Sequence, residues 1–366
     1  MRRELETNGA RMMNSLRPLH ASPPINRRAL LGTAIPAIAA GLAGCAVPSP
    51  RRQPNGRLPI TLSSQPNGAG LPFFIGQKEG FFEEEGLAVE VANYASGPAS
   101  LAAGAANEWQ AGWSGAPPAL TGANAFGLIP TGLMMREDEN HMMFMSARVL
   151  ENSSPKEVLR KYPVATSQNS LADQVMRGCA EQFGVPGEEV EIVPLDGGAV
   201  VQALQSGQVE VVNSWVTPAW PLLENPEEYV QVCSAAEAGV AVTSAFVITP
   251  RFADEEPHAA AGFLRAATRA TEFINQNPDQ SVEYMLEYYD TYAITGSEDQ
   301  AAWEVEMRDW FTLEEVIDGI ESGSSSAALT ASAEFFVEAG IYPVVPPIDK
   351  LLDKGLDLLK SARDGA

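Results

Sequence analysis

The chain has 366 residues, 45% of them hydrophobic and 19% charged, and its formal net charge is −23. This length predicts roughly two domains, and no apolar run reaches the roughly 18 residues that a membrane-spanning helix needs, which excludes a multi-span membrane protein. The strong negative charge disfavours nucleic acid as a partner, because phosphate backbones repel an acidic protein.

The first 44 residues have the pattern of an export signal. A basic region is followed by a short apolar core and an exit of small residues. The pair Arg27-Arg28 directly before the apolar core resembles a twin-arginine signal. We therefore assign residues 1–44 to an export signal that is absent from the mature protein.

A cysteine stands at the end of this signal. The run Leu42-Ala43-Gly44-Cys45 resembles a bacterial lipobox, in which the Cys becomes the lipid-carrying N-terminus. An ordinary signal peptide with an incidental Cys45 is the alternative. Residues 45–57 then form a tether. We expect a protein on the extracytoplasmic (periplasmic) side of the cell membrane, held there by its lipid and not by a spanning segment.

From Leu58 onward, short strands alternate with helices. Residues 58–64 form a predicted strand, a Gly/Pro turn follows over 65–70, and Leu71, Phe74 and Ile75 then recur at helical spacing. The unit of strand, turn and helix is repeated along the chain. This pattern predicts an α/β fold with a mostly parallel sheet and helices on both faces.

Two stretches of the predicted fold look alike. Gly97 to Trp113 contains a helix, a Leu-x-x-Gly segment and a strand with a Trp, and Gly198 to Trp215 contains the same series. In both, the Gly of Leu-x-x-Gly (Gly104 and Gly207) is predicted to close the helix in a left-handed conformation. We interpret the pair as one supersecondary unit used once in each of two lobes. The alternative is that any α/β protein offers such pairs.

The middle of the chain has strands of its own, which are predicted at 164–167, 191–195, 209–213 and 229–233. Apolar strands at 141–147 and 244–249 flank this segment. If both cross between lobes, the first lobe comprises residues 58–144 and 246–366 and the second comprises residues 145–245. Apolar stripes in the tail predict buried helix faces, and one of them contains Phe263, Ala267, Ala270 and Ile274.

Motifs for enzyme chemistry are absent from the sequence. It contains neither a phosphate-binding Gly-x-x-x-x-Gly-Lys-Ser/Thr loop nor a His-Glu-x-x-His zinc motif, so we expect no metal and no cofactor. His141 lies in an apolar strand, where a structural role is favoured over a catalytic one. Cys179 and Cys233 fall in the same predicted lobe, and we favour two buried free thiols over a disulfide.

Four strand-to-helix turns are rich in small polar residues. In open α/β sheets, ligands bind at the carboxyl ends of strands, where helix N-termini present free N–H groups. A helix cap is the alternative for any single turn, as for Ser170 with Asp173, and a core position is the alternative for Trp113 and Trp215. The candidate ligand-binding residues are Gln65, Ser114, Gly115, Ala116, Gln168, Asn169, Ser170 and Trp215.

These turns, taken in order, resemble a known family. Gln65 after the first strand, the run 76–87, Ser96-Gly97-Pro98, the run 114–118 and the later Trp215 are similar to solute-binding proteins of bacterial ABC importers for nitrate, taurine and aliphatic sulfonates, a family that also includes binders of thiamine pyrimidine precursors. The resemblance runs over most of residues 58–290.

The resemblance implies a periplasmic-binding-protein fold of type II, with two α/β lobes joined by two crossover strands. It implies a monomer that closes on a small-molecule solute and delivers it to an ABC permease without altering it. This chain has Ser167-Gln168 where a basic residue is common in the family, which favours an uncharged or zwitterionic solute. The alternatives are a sensory binding protein without a permease, and a binder or enzyme of the thiamine-pyrimidine-precursor type.

Overall fold

The computed structural model describes residues 52–338 and 340–365. The predicted export signal and Cys45, the predicted lipidation site, lie outside these residues. The described part of the chain forms two sheets. We call each sheet, with the helices that pack on it, a lobe.

The strands are β1 (Leu58–Ser64), β2 (Leu87–Asn93), β3 (Ala111–Gly115), β4 (Ile129–Arg136), β5 (His141–Ser146), β6 (Val164–Thr166), β7 (Ile192–Pro194), β8 (Val211–Trp215), β9 (Tyr229–Ser234), β10 (Thr243–Ile248) and β11 (Asp309–Trp310). The helices are α1 (Leu71–Lys78), α2 (Phe81–Glu84), α3 (Gly97–Ala105), α4 (Ala116–Phe126), α5 (Ala147–Leu150), α6 (Pro155–Lys161), α7 (Leu171–Gln182), α8 (Gly198–Gln205), α9 (Val216–Leu223), α10 (Pro250–Glu255), α11 (Pro257–Gln276), α12 (Pro278–Thr291), α13 (Glu298–Glu306), α14 (Leu313–Glu321), α15 (Ser324–Glu338) and α16 (Ile348–Asp364). Short 3-10 turns occur at Gly68–Gly70 and Gly187–Glu189.

The sheet of the first lobe has the strand order β11-β4-β10-β3-β1-β2, and the sheet of the second lobe has the order β7-β6-β8-β5-β9. In each sheet, one antiparallel strand lies between strands that run in the other direction: β10 between β3 and β4, and β5 between β8 and β9. Both strands follow a connection from the other lobe. In each sheet the chain enters at the edge where the parallel strands end, so the entering strand must be antiparallel to them.

Two connections join the lobes, residues 137–140 and residues 235–242. They are hydrogen-bonded to each other: the Glu137 N–H donates to the Val242 carbonyl oxygen (2.9 Å), and the Val242 N–H donates to Asp138 Oδ1 (2.8 Å). The passage between the lobes is therefore a pair of short linked segments beside the ends of the parallel strands.

Apolar periodicity explains the core of the first lobe. Leu58, Ile60 and Leu62 alternate along β1 and are almost fully buried. The predicted stripe on α11 is confirmed, since Phe263, Ala267, Ala270 and Ile274 are all buried. None of the described helices combines the length and the apolar character needed to cross a membrane.

The repeated unit exists, but its details differ from the prediction. Each copy is a helix followed by a strand, α3 with β3 and α8 with β8. Gly207 adopts the predicted left-handed conformation (φ 72°), whereas Asn107 takes that role after α3 (φ 58°). Gly104 is instead a helical residue, and a Cβ there would lie 2.3 Å from the Trp109 ring. Close packing, and not chain reversal, requires glycine at that position.

A disulfide joins Cys179 on α7 to Cys233 on β9. The prediction of two free thiols was therefore wrong. Helix α7 packs on the face of the second sheet, and this packing brings the two Cα atoms to 5.9 Å although the residues are 54 positions apart. Sequence spacing could not reveal this, because it depends on which strand becomes the neighbour of the helix.

Candidate functional site

A small cavity lies between the two lobes, at the carboxyl ends of their parallel strands. Its volume is about 30 Å³, which is space for about two water molecules. The first lobe and the first connection contribute Gln65, Asn67, Gly97, Trp113, Gly115, Pro118, Ser244, Glu137 and Asn140, and the second lobe contributes His141, Ser170, Leu171 and Trp215.

Half of the predicted site residues line this cavity. Gln65, Gly115, Ser170 and Trp215 are lining residues. Ser114 and Ala116 are buried next to Gly115, at the end of β3 and the start of α4, while Gln168 and Asn169 are exposed on the turn before α7. The structure thus brings all four predicted turns to one cleft, although the side chains of Gln168 and Asn169 are exposed.

The first turn is held in place by the Asn67 side chain and by a buried tyrosine. The Asn67 side chain accepts a hydrogen bond from the Ala69 N–H (3.0 Å). The Tyr288 hydroxyl donates to the carbonyl oxygens of Gln65 (3.1 Å) and Asn67 (3.0 Å). These contacts fix the backbone of the turn from which Gln65 and Asn67 line the cavity.

The turn before α7 combines a helix cap with a lining position. Ser170 Oγ accepts a hydrogen bond from the Ala172 N–H (3.1 Å), and the Asp173 carboxylate accepts one from the Asn169 N–H (2.9 Å). Asn169 has a left-handed backbone (φ 59°), a conformation that Asn tolerates better than most residues. The capping role and the cavity-lining role of Ser170 are therefore compatible.

An aromatic wall belongs to the second lobe. His141 on β5 lies directly opposite Trp215 on β8, and their ring centroids are 6.3 Å apart. Burial, reinforced by the positive charge of Arg308, lowers the pKa of His141 to about 3. The imidazole is therefore uncharged at neutral pH.

Several buried polar atoms beside the cavity have no hydrogen-bond partner among the described residues. They include Ser244 Oγ and His141 Nδ1, both on lining residues, and the Oγ atoms of Ser114 and Ser214 at the ends of β3 and β8. An unsatisfied buried donor or acceptor costs about 1–3 kcal/mol. A polar molecule in the cleft could remove this cost, which makes the cavity a candidate binding site.

The cavity wall carries a carboxylate and no free cation. Glu137 Oε2 accepts hydrogen bonds from Arg308 Nε (2.8 Å) and from Asn140 Nδ2 (2.6 Å). Burial raises the pKa of Glu137, and the Arg308 guanidinium opposes that rise. Arg308 is also paired with Glu304 (3.1 Å). Among the described lining residues there is no Lys or Arg.

Sequence reasoning missed Asn67, Glu137, Asn140 and Ser244, and it interpreted His141 as structural. Asn67 lies in the predicted Gly/Pro turn, so its position was a usable signal. Glu137 and Asn140 lie in a connection without periodicity, and nothing in the sequence marks them. The described residues contain no cluster of His, Cys, Asp and Glu arranged to hold a metal ion.

A larger groove of about 820 Å³ runs along the opposite end of the first sheet, past Pro59 and Ile60 in β1 and Leu87 in β2. It is open, and it lies at the end of the sheet where the strands begin. Ligands of α/β sheets bind at the carboxyl ends of strands. We therefore place the candidate site at the smaller interlobe cavity.

The family described as NMT1/THI5 like matches residues 67–281. Among relatives, a Brucella abortus protein that carries the name of a binding protein is 24% identical over 276 residues, which is 73% of this chain and 81% of the relative. The formylaminopyrimidine-binding protein of Halalkalibacterium halodurans is 21% identical over 232 residues, 62% of this chain and 69% of the relative.

Among solved structures, the periplasmic nitrate-binding protein NrtA of Synechocystis superposes with a TM-score of 0.68 at 14% identity, covering 84% of this chain and 88% of that chain. This likeness confirms the predicted two-lobed fold of the periplasmic-binding-protein type. The family match spans more than half of the chain. The protein therefore belongs to the NMT1/THI5-like family.

Proposed function

We propose that this protein is an extracytoplasmic binding protein that captures a small solute between its lobes and delivers it to an ABC permease. The first lobe holds the sheet of β1–β4, β10 and β11, and the second holds the sheet of β5–β9, so we place the lobe boundaries in the connections 137–140 and 235–242, a few residues before the predicted boundaries at 144/145 and 245/246. The observation that carries the proposal is the interlobe cavity, which residues from both lobes line and beside which buried polar atoms lack partners.

The solute is uncharged and forms hydrogen bonds. An anion such as nitrate or a sulfonate would meet the Glu137 carboxylate, while Arg308 is already paired with Glu137 and Glu304. His141 adds no positive charge at neutral pH, because its pKa is about 3. An uncharged solute can use Ser244 Oγ and His141 Nδ1 without bringing an unpaired charge into a buried site.

The solute also presents a flat apolar face. Trp113 from the first lobe and Trp215 from the second both line the cavity, and His141 extends the wall beside Trp215. Aromatic side chains favour stacking on planar ligands. A relative named for binding a formylaminopyrimidine is in keeping with this chemistry.

The lobes separate to admit the solute. A cavity of about 30 Å³ is far smaller than the roughly 300–1,000 Å³ of ligand pockets. The connections 137–140 and 235–242 are the segments that join the lobes and act as hinges. The solute then holds the lobes closed, and the permease recognises the closed form.

Export and anchoring complete the proposal. Arg27-Arg28 directs the chain through the twin-arginine route, and Cys45 carries the lipid that holds it at the membrane. The Cys179–Cys233 disulfide suits an oxidising extracytoplasmic compartment. Because both of these cysteines are paired, they supply no reactive thiol for a pyrimidine-synthesising enzyme.

Titration calorimetry and thermal-shift measurements with a charge-graded panel test this function. The panel contains an uncharged aminopyrimidine, taurine, an alkanesulfonate and nitrate. We expect saturable 1:1 binding of the uncharged heterocycle and none of the anions. Tight binding of nitrate or the alkanesulfonate would contradict the solute class, and failure of wider neutral and charged panels would contradict the binding function itself.

A further inference from the structure

We propose that Glu304 is a positioning residue that holds the two halves of the site together. It lies on α13 outside the cavity lining and is fully buried. The inference rests on the proposed function in one respect only: it assumes that the lobes open and close. It assigns to the C-terminal part of the chain a role in setting that equilibrium.

One oxygen of Glu304 contacts both lobes. Glu304 Oε2 accepts a hydrogen bond from the Gly68 N–H of the first lobe (3.0 Å) and from the Thr217 hydroxyl of the second (2.8 Å). Gly68 directly follows the lining residue Asn67, and Thr217 lies two positions after the lining residue Trp215. The carboxylate thus bridges two segments that each present a side chain to the cavity.

The other contacts of Glu304 stay within the first lobe and its tail helices. Glu304 Oε1 accepts hydrogen bonds from the Tyr289 hydroxyl (2.8 Å) and from Gln300 Nε2 (3.0 Å), and Oε2 also accepts one from Arg308 Nη2 (3.1 Å). Several donors therefore converge on one buried carboxylate. Such a group is held rigidly, because moving it would leave charged and polar atoms unpaired.

Further contacts join α13 to the start of α9. Gln300 Nε2 also donates to the Thr217 carbonyl oxygen (3.3 Å), and the rings of Trp220 on α9 and Trp303 on α13 are 6.1 Å apart. Helix α13 is therefore one element through which the first lobe contacts the start of α9, and the Gly68 N–H, which also donates to the Thr217 hydroxyl oxygen (3.3 Å), is another. Thr217 is the side chain of the second lobe that bonds Glu304.

The Thr217 hydroxyl contributes to the closed arrangement only. When the lobes separate, the bond between Thr217 and Glu304 breaks while the bonds from Tyr289 and Arg308 persist. Removing the hydroxyl therefore shifts the population towards the open form. A hydrogen bond to a charged group corresponds to a change of about tenfold or more in that equilibrium.

The test measures how often the cleft opens in the absence of any solute. A thiol is placed in the cavity by Ser244→Cys, at a position that is fully buried in the closed structure. Its rate of modification by a small thiol reagent reports the open fraction, and mass spectrometry of the peptide containing residue 244 separates it from Cys45. The rate is compared in the same background with Thr217→Val and with Tyr289→Phe.

Tyr289→Phe is the matched control, because it removes a hydroxyl donor from the same carboxylate without crossing between lobes. We expect Thr217→Val to raise the labelling rate about tenfold, Tyr289→Phe to change it less than about twofold, and Thr217→Ser to restore the original rate. Equal rates in the Val and Phe variants, or no increase in either, would overturn the proposal. Because no solute is used, this outcome is independent of whether the solute class is right.

Discussion

Gly115 and Trp215 occupy the same place in the two copies of the repeated unit. Each is the last residue of a five-residue strand, and a helix starts at the next residue. One copy thus ends with a large ring and the other with no side chain at all. Leu171 of the second lobe lies over Gly115, in the space that a side chain there would take.

We predict that Gly115→Ala opens the cleft. A Cβ at residue 115 would lie 2.6 Å from Leu171 Cδ1 across the lobe boundary, although the backbone (φ −57°) suits alanine. Such overpacking typically costs about 1–3 kcal/mol, and separation of the lobes would remove this cost. Small-angle scattering of the ligand-free protein should show a larger radius of gyration. Gly198→Ala is the control, since nothing lies within 4 Å of its Cβ, and equal scattering from both variants would refute the prediction.

Trp215→Ala should weaken solute binding at least tenfold and leave the fold intact. The ring lines the cavity and lies beside His141, so its loss removes the aromatic wall of the second lobe. Calorimetry with the uncharged solute measures the loss, and circular dichroism checks the fold. Trp215→Phe should retain most of the affinity. An unchanged dissociation constant in the alanine variant would remove Trp215 from the site.

The stability of the protein should fall as the pH drops below about 6.5, in part because of His141. Its pKa is about 3 when folded and 6.5 when unfolded, so the unfolded state binds a proton that the folded state refuses. The resulting loss of unfolding free energy grows by about 1.4 kcal/mol for each unit that the pH falls between these values, and it reaches roughly 2 kcal/mol at pH 5. Above pH 7 it is absent.

Urea unfolding of the wild type and of His141→Gln at pH 7 and pH 5 isolates this effect. The raised pKa of Glu137 acts in the opposite direction, because the folded state then binds its proton more readily, but it is present in both proteins. The wild type should lose more stability than the variant on acidification. Parallel losses would show that His141 is not the group responsible.

The disulfide should contribute substantially to stability. It closes a loop with a sequence separation of 54, for which the loss of chain entropy corresponds to about 4 kcal/mol. The double variant Cys179→Ala/Cys233→Ala should therefore unfold at a lower urea concentration than the oxidised wild type. Because α7 begins at the cavity, the solute affinity of the double variant should fall as well. Identical unfolding midpoints would contradict the prediction.

Cys45→Ala should release the protein from membranes. The lipobox-like run ends at this residue, and the lipid is the anchor that we infer. Fractionation of cells and labelling with a radioactive fatty acid give the readout, with Arg27→Lys/Arg28→Lys as a control that blocks export before lipidation. Lipid labelling that persists in Cys45→Ala would overturn the anchor.

Much of the fold could be predicted, because its elements are set by local patterns. The strand predicted at 58–64 has those bounds in the structure, and the helix predicted at the start of the stretch from Gly97 to Trp113 is found at Gly97–Ala105. The strands predicted at 141–147 and 244–249 are found as β5 and β10, but their antiparallel direction was not predicted. Their direction depends on how the chain passes between lobes, and strand periodicity carries no information about direction.

The site was harder to predict than the fold. A polar residue in a turn has the same local signature whether it faces a cleft, as Ser170 does, or solvent, as Gln168 does. Asn140 lines the cavity from the connection 137–140, and its place there depends on how distant segments of the chain come together. Glu304 lies far along the chain on a helix that carries several acidic residues, and only the tertiary structure shows the donors that converge on it.

The most direct test of the central claim is equilibrium dialysis of the protein against an isotopically labelled uncharged aminopyrimidine, followed by mass spectrometry of the recovered solute. The account predicts one bound molecule per chain, recovered chemically unchanged, with retention lost in Trp215→Ala. Conversion of the solute to a product, or retention that is equally strong in Trp215→Ala, would contradict the account.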